Sequence, residues 1–233
     1  MSQAKDIFFQ KLLSRFEAIG FVLKKSRNAL VKVENNIEYV FSVSFDGRGG
    51  LSSLLQTRLT IECLDLRKAI RTCHGHKYSE TLLINGGTNC VNNYLDTVLC
   101  NPKMYSLTPV ELSKLSFEEK YPAAQIDRVV NHVWKNFQGF GEQAIAKYNS
   151  NQTIFEALKN YNFTNTDQND FHTFPLVGYL SLRFLAKQFN ENADESIANF
   201  FQQYEPFLEL NPLDFDLINS VEKDFLTVKN QIK

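Results

Sequence analysis

The sequence predicts an α+β fold: an N-terminal helix packed on an antiparallel sheet, followed by a mostly helical C-terminal half. Three observations predict it. Apolar residues recur at helical spacing over 3–19, alternate with period two through much of 29–63, and return to helical spacing beyond 106. Helix, then strands in succession, then helices in succession is the order of an α+β chain, whereas a doubly wound sheet would alternate them. The implied division is a sheet region at 1–105 and a helical region at 106–233, which can also form one continuous domain.

The first helix places Phe8, Phe9, Leu12, Leu13, Phe16 and Ile19 on one stripe, with Lys11, Arg15 and Glu17 opposite, and Gly20 as its stop. Then the period changes. Ala29, Val31 and Val33 alternate with Leu30, Lys32 and Glu34, and Asn35-Asn36 fits a two-residue hairpin turn because Asn tolerates positive φ. The next strand has Ile37, Tyr39, Phe41, Val43 and Phe45 on one face, with Glu38, Ser42 and Ser44 on the other. After Asp46-Gly47-Arg48-Gly49-Gly50, a third strand sets Leu55, Thr57, Leu59, Ile61 and Cys63 against Gln56, Arg58, Thr60 and Glu62. Three strands with one apolar face each predict a sheet wet on one side and covered by the first helix on the other. Residues 64–71 read as a short helix or turn, and 81–84 as a fourth strand.

Thr108-Pro109-Val110-Glu111 is a capping box with proline at the first helical position, so a helix starts there. Ile126, Val129, Val130, Val133, Trp134 and Phe137 form the stripe of the next, with Gly139 and Gly141 as its expected stop. Shorter helices are expected at 142–149 and 152–160. A loop is expected at 162–170, and a buried, almost wholly apolar helix at 176–189. Ile197, Phe200, Phe201 and Tyr204 define another helix, and Asn211-Pro212 opens the last.

Composition bounds the function. The 233 residues are 43% hydrophobic and 22% charged, with 20 Phe against six Pro and ten Gly, the balance of an ordinary folded protein with modest loops. No apolar run reaches the roughly 20 residues a membrane helix requires, and the charge-broken IFFQKLLSRF is not expected to act as a signal peptide. The expectation is a cytoplasmic protein with four reduced thiols at 63, 73, 90 and 100, and chance sequons at Asn151 and Asn162. A net charge of −1 argues against general nucleic-acid binding. The charge is unevenly spread: residues 1–32 carry seven Lys/Arg against Asp6 and Glu17. Residues 188–226 carry nine carboxylates against Lys223 alone. Such a segment can steer a basic partner, or it can be neutralised within the fold.

Two motifs invite chemistry. Cys73-His74-Gly75-His76 has the residue types of a metal site, but zinc requires three or four converging ligands and no second pair is present. In an extended chain His74 and His76 point to one side and Cys73 to the other, so at most two share a metal. The favoured reading is a polar loop without metal or other cofactor; the alternative is a two-histidine site completed by Glu80 or a remote carboxylate. Asp46–Gly50 is glycine-rich, but a strand follows it rather than a helix, so it reads as a hairpin connection with Arg48 exposed at its tip and able to touch a partner. No nucleophile elbow is present. The paired carboxylates Glu118-Glu119, Asp194-Glu195 and Asp214/Asp216 sit near helix ends, where solvent exposure or the helix dipole accounts for them more simply than acid–base chemistry.

The step Ala18-Ile19-Gly20-Phe21 after an amphipathic helix, the hairpin-rich sheet at 29–63 and the run FQGFGEQAIAKYNSNQTIFEAL together resemble an uncharacterised class of bacterial domains. Some proteins of this look lie beside toxin genes as immunity proteins. The resemblance implies a toxin-neutralising binding protein and carries over no functional residues. Two functions are therefore expected. The first is a non-enzymatic protein-binding module acting on a basic partner through Glu205, Glu209, Asp214 and Asp216, with Arg48 as a further contact. The alternative is a metal-assisted hydrolase using the His74/His76 region.

Overall fold

The computed structural model describes residues 3–27, 29–44, 56–67, 82–85, 107–116, 122–161 and 175–192, with single residues at 119, 171, 194, 195, 198 and 202. The fold is α+β: an N-terminal helix packs on an antiparallel sheet and a helical region follows. Five strands lie in the order β1-β2-β3-β4-β5: Val22–Lys24, Ala29–Glu34, Ile37–Ser44, Gln56–Cys63 and Leu82–Asn85. The helices are α1 (Gln3–Glu17), α2 (Pro109–Lys114), α3 (Ile126–Asn136), α4 (Glu142–Lys147), α5 (Asn151–Lys159) and α6 (Pro175–Phe189). One compact unit comprises Met1–Val33, Tyr39–Leu59 and Ile84–Ala146; the other comprises Glu34–Glu38, Thr60–Leu83 and Lys147–Lys233.

In the first unit, α1 ends where glycine permits. Gly20 has φ +88°, its N–H donates to the Glu17 carbonyl at 3.0 Å, and the Phe21 N–H donates to the Phe16 carbonyl at 3.0 Å. These are the two bonds of a Schellman cap, and the apolar contact that accompanies such a cap is the Phe16–Phe21 ring pair, 5.3 Å between centroids. The cap turns the chain into β1, which pairs antiparallel with β2 in the register Val22↔Val31, Leu23↔Leu30 and Lys24↔Ala29. Three residues are too few to show a period, so β1 was not legible in the sequence.

Phe16 is also the centre of the core. Its ring stacks on Phe41 at 5.0 Å and meets Phe137 at 4.5 Å and Trp134 at 5.1 Å. Tyr39, Phe41 and Val43 are buried, as the alternation of β3 requires. Lys11 bonds Asp127 at 2.6 Å and Arg15 donates to the Asn131 side chain, so α1 lies along α3 by its polar flank as well as its apolar stripe. The capping box at Thr108 is formed: the Thr108 N–H donates to a Glu111 carboxylate oxygen at 2.7 Å, and the Glu111 N–H donates to the Thr108 hydroxyl at 3.3 Å. The bonds that the Thr108 N–H and hydroxyl donate to the carboxylate hold the Glu111 carboxyl below its ordinary pKa.

The glycines at 139 and 141 do not end the helix. The chain passes from α3 through one π turn, Phe137–Gly141, directly into α4. A Cβ on Gly141 would lie 2.4 Å from the Phe137 ring. The missing side chain makes room for a buried aromatic; it does not break the helix.

In the second unit, Asn35 and Asn36 have φ of 50° and 64°, the two positive values of a type I′ turn. Ser150 caps α5 reciprocally with Thr153. The far end of α6 repeats the Schellman geometry with asparagine in place of glycine: Asn190 has φ 54° and the Glu191 N–H donates to the Ala186 carbonyl at 2.9 Å. No described helix is long and apolar enough to cross a membrane.

The sheet departs from the expectation of one wet face. Glu38, Thr60 and Glu62, read as outward-facing, are 8%, 5% and 6% exposed. Alternation identifies which residues share a face but not whether that face meets water; here a charged partner accompanies the carboxylates inside.

Candidate functional site

The buried charges converge just beyond the β2–β3 turn. The Leu64 N–H donates to the Asn36 carbonyl at 2.9 Å, and Asn36 Nδ2 donates to Asp65 Oδ2 at 2.6 Å. These bonds tie the helical residues 64–67 to the hairpin turn and bring Arg67 to both Glu38 and Glu62. Its Nη1 donates to Glu62 Oε2 at 2.7 Å and also to Glu38 Oε2. Burial works to lower the guanidinium pKa, but the bonds to Glu38 and Glu62 outweigh it and the net shift is upward. The guanidinium is thus a fixed charge. Two carboxylates that both hold one guanidinium form an anchor joining two strands to the segment after them, since removing either partner would strand a buried charge.

Cys63 lies on the apolar side of β4, fully buried, as its alternation with Leu59 and Ile61 requires. Burial pushes the thiol above its ordinary 9.0, against smaller opposing contributions from backbone groups at Leu66 and Asp65 and from the Asn151 side chain. A raised thiol pKa is that of an inert core sulfur, not a nucleophile. Asn151 Nδ2 donates to Gln188 Oε1 at 3.1 Å, so the nitrogen a glycan would use is bonded between α5 and α6.

The acidic C-terminal segment is described at its start. Glu191 pairs with Lys159 at 3.0 Å, and Lys159 also reaches Glu156 at 3.4 Å. The Glu191 bond is the main cause of a raised Lys159 pKa. Asp194 meets Arg183 at 3.4 Å. These first carboxylates therefore have cations of their own on α5 and α6. Glu205, Glu209, Asp214 and Asp216 lie outside the described residues, as do Arg48, His74 and His76.

His132, on α3, is half-buried with its Nε2 3.1 Å from Asn136 Nδ2. Among the described residues no group of three or more His, Cys, Asp or Glu converges as a metal-ligand set. The residues that the structure unites and sequence reading missed are Glu38, Glu62 and Arg67. Alternation alone could not find them: carboxylates on neighbouring strands require a cation only when their face is buried, and Glu62 and Arg67 lie in different elements. No family model matches the chain, and no curated protein or solved structure matches it.

Proposed function

We propose that the protein is a non-enzymatic binding module that receives a basic protein partner on its acidic C-terminal region. The observation that carries this reading is the charge of residues 205–224, where six carboxylates accompany Lys223 alone. The ion pairs to Lys159 and Arg183 involve Glu191 and Asp194, upstream of that cluster. A dense cluster of one sign raises the association rate of an oppositely charged protein by about tenfold or more at low salt, and the effect fades as the Debye length shrinks to ~8 Å at physiological ionic strength. A nucleic-acid-cleaving toxin is such a partner, because its own substrate is polyanionic. The resemblance to a class of bacterial domains of which some lie beside toxin genes agrees with this form of the proposal, and Arg48 would be a further contact.

The test is charge reversal at Glu205, Glu209, Asp214 and Asp216, each to Lys. Immobilised wild-type chain is expected to retain a basic protein from lysate at low salt and release it as salt rises. The reversed chain should associate with that protein about tenfold more slowly, with a flattened salt dependence and an unchanged melting temperature. A lowered melting temperature with unchanged association would place the carboxylates in internal pairs and overturn the proposal.

A further inference from the structure

The basic N-terminal segment, unlike the acidic C-terminal one, includes a strand of known pairing. Among the described residues β1 is the terminal strand of the sheet, and one alternate set of its N–H and C=O groups points away from β2. Directly paired residues share a face, which puts Val22, Lys24 and Val31 on one side and makes Val33 the diagonal neighbour of Val22. Burial on β2 ends at Val31; Val22 is 52% exposed and Val33 58%. Lys24 and Lys25 are exposed beside them, and neither has an ion pair among the described residues. Lysines on a short edge commonly serve to prevent edge-to-edge pairing. A purely protective edge needs the lysines but not two exposed valines on the adjoining face.

We propose that β1 is a docking edge for an extended acidic segment of a partner protein, which adds to the sheet as a further strand. An apolar side chain of the incoming strand would rest on Val22 and extend the exposed apolar surface that Val33 continues on β2, and its carboxylates would meet Lys24 and Lys25. The mode is strand addition, in which main-chain bonds supply affinity and alternate side chains supply selection. A second copy of the chain fits less well, because its own β1, Val22-Leu23-Lys24, brings no carboxylate to meet the lysines. The two proposals rest on different residues of opposite charge, so either can fail without the other.

The experiment uses the full chain, labelled for amide NMR, and two short synthetic peptides, one alternating valine with glutamate and the other valine with lysine. The valine–glutamate peptide is expected to bind saturably, shift the resonances of residues 22–25 and slow exchange of alternate β1 amides. The valine–lysine peptide is not. Lys24→Glu with Lys25→Glu should weaken the first peptide by about tenfold and favour the second, with an unchanged denaturation midpoint because both side chains are exposed. Val22→Thr with Val33→Thr should weaken whichever peptide is bound. Equal binding of both peptides, perturbation mapping away from β1, no binding at all, or self-association through β1 in the absence of peptide would each overturn the proposal.

Discussion

Replacing Gly141 by alanine tests whether the π turn exists to admit an aromatic ring. Alanine is the better helix former, and on propensity alone the change would stabilise a helical position by about 0.5–1 kcal/mol. The packing says otherwise. The new Cβ would lie 2.4 Å from two carbons of the Phe137 ring and 3.1 Å from a third, where ordinary carbon–carbon contact is about 3.5–4.0 Å. The ring has nowhere to retreat: it is 0% exposed, with Phe16 at 4.5 Å, Phe41 at 5.1 Å and Phe21 at 5.8 Å between centroids. Overpacking of this kind costs about 1–3 kcal/mol, so Gly141→Ala is expected to destabilise by about 1–2 kcal/mol net of the propensity gain. Gly139 is the internal control, since a Cβ there meets nothing within 4 Å and Gly139→Ala should stabilise by about 0.5–1 kcal/mol. Urea denaturation of the three proteins reads both signs, as opposite shifts of the midpoint at constant slope. A Gly141→Ala midpoint at or above wild type, or equal losses at both glycines, would refute the reasoning.

Three other outcomes are expected. Arg67→Met leaves Glu38 and Glu62 buried without their guanidinium and should cost about 3 kcal/mol in guanidinium denaturation; a loss under about 1 kcal/mol would show that Arg67 is not their main partner. Phe41→Ala removes a ring from the centre of the aromatic cluster and should cost about 3–5 kcal/mol, checked by the same denaturation; an unchanged midpoint would contradict its central place in the core. Cys63 keeps its proton longer when folded than when unfolded, so it contributes stability that is complete below its ordinary pKa of 9.0 and is lost as pH rises through the raised folded value. Cys63→Ala should therefore show a shallower loss of stability than wild type above about pH 9; parallel profiles would count against a buried thiol.

How far the sequence could be read depends on the range over which each feature is specified. Gly20, the Asn35-Asn36 pair, the Thr108–Glu111 box and the alternation of Ile37 to Val43 each act within a few residues of themselves. Backbone sterics and capping bonds therefore make them legible before any fold exists, and all four take the form their chemistry requires. The candidate site was legible only as charge: a basic first segment and an acidic last one, with no sign of which carboxylates already had partners. That question is non-local. Glu191 is bonded by a lysine 32 positions earlier in the chain, and Lys11 by an aspartate 116 positions later.

The sequence by itself determined the α+β order, the helix caps, the hairpin turn and the apolar face of β3, because periodicity and turn chemistry are properties of neighbours along the chain. Only the tertiary structure decided that Glu38 and Glu62 go inside with Arg67, that Gly141 gives way to Phe137 instead of stopping a helix, and that three residues after Gly20 form an edge strand. Each of those depends on what a distant segment brings to the same place. A carboxylate is buried when a guanidinium arrives beside it, a glycine is required when a ring occupies the space of its Cβ, and a short extended stretch becomes a strand when another strand offers it hydrogen bonds.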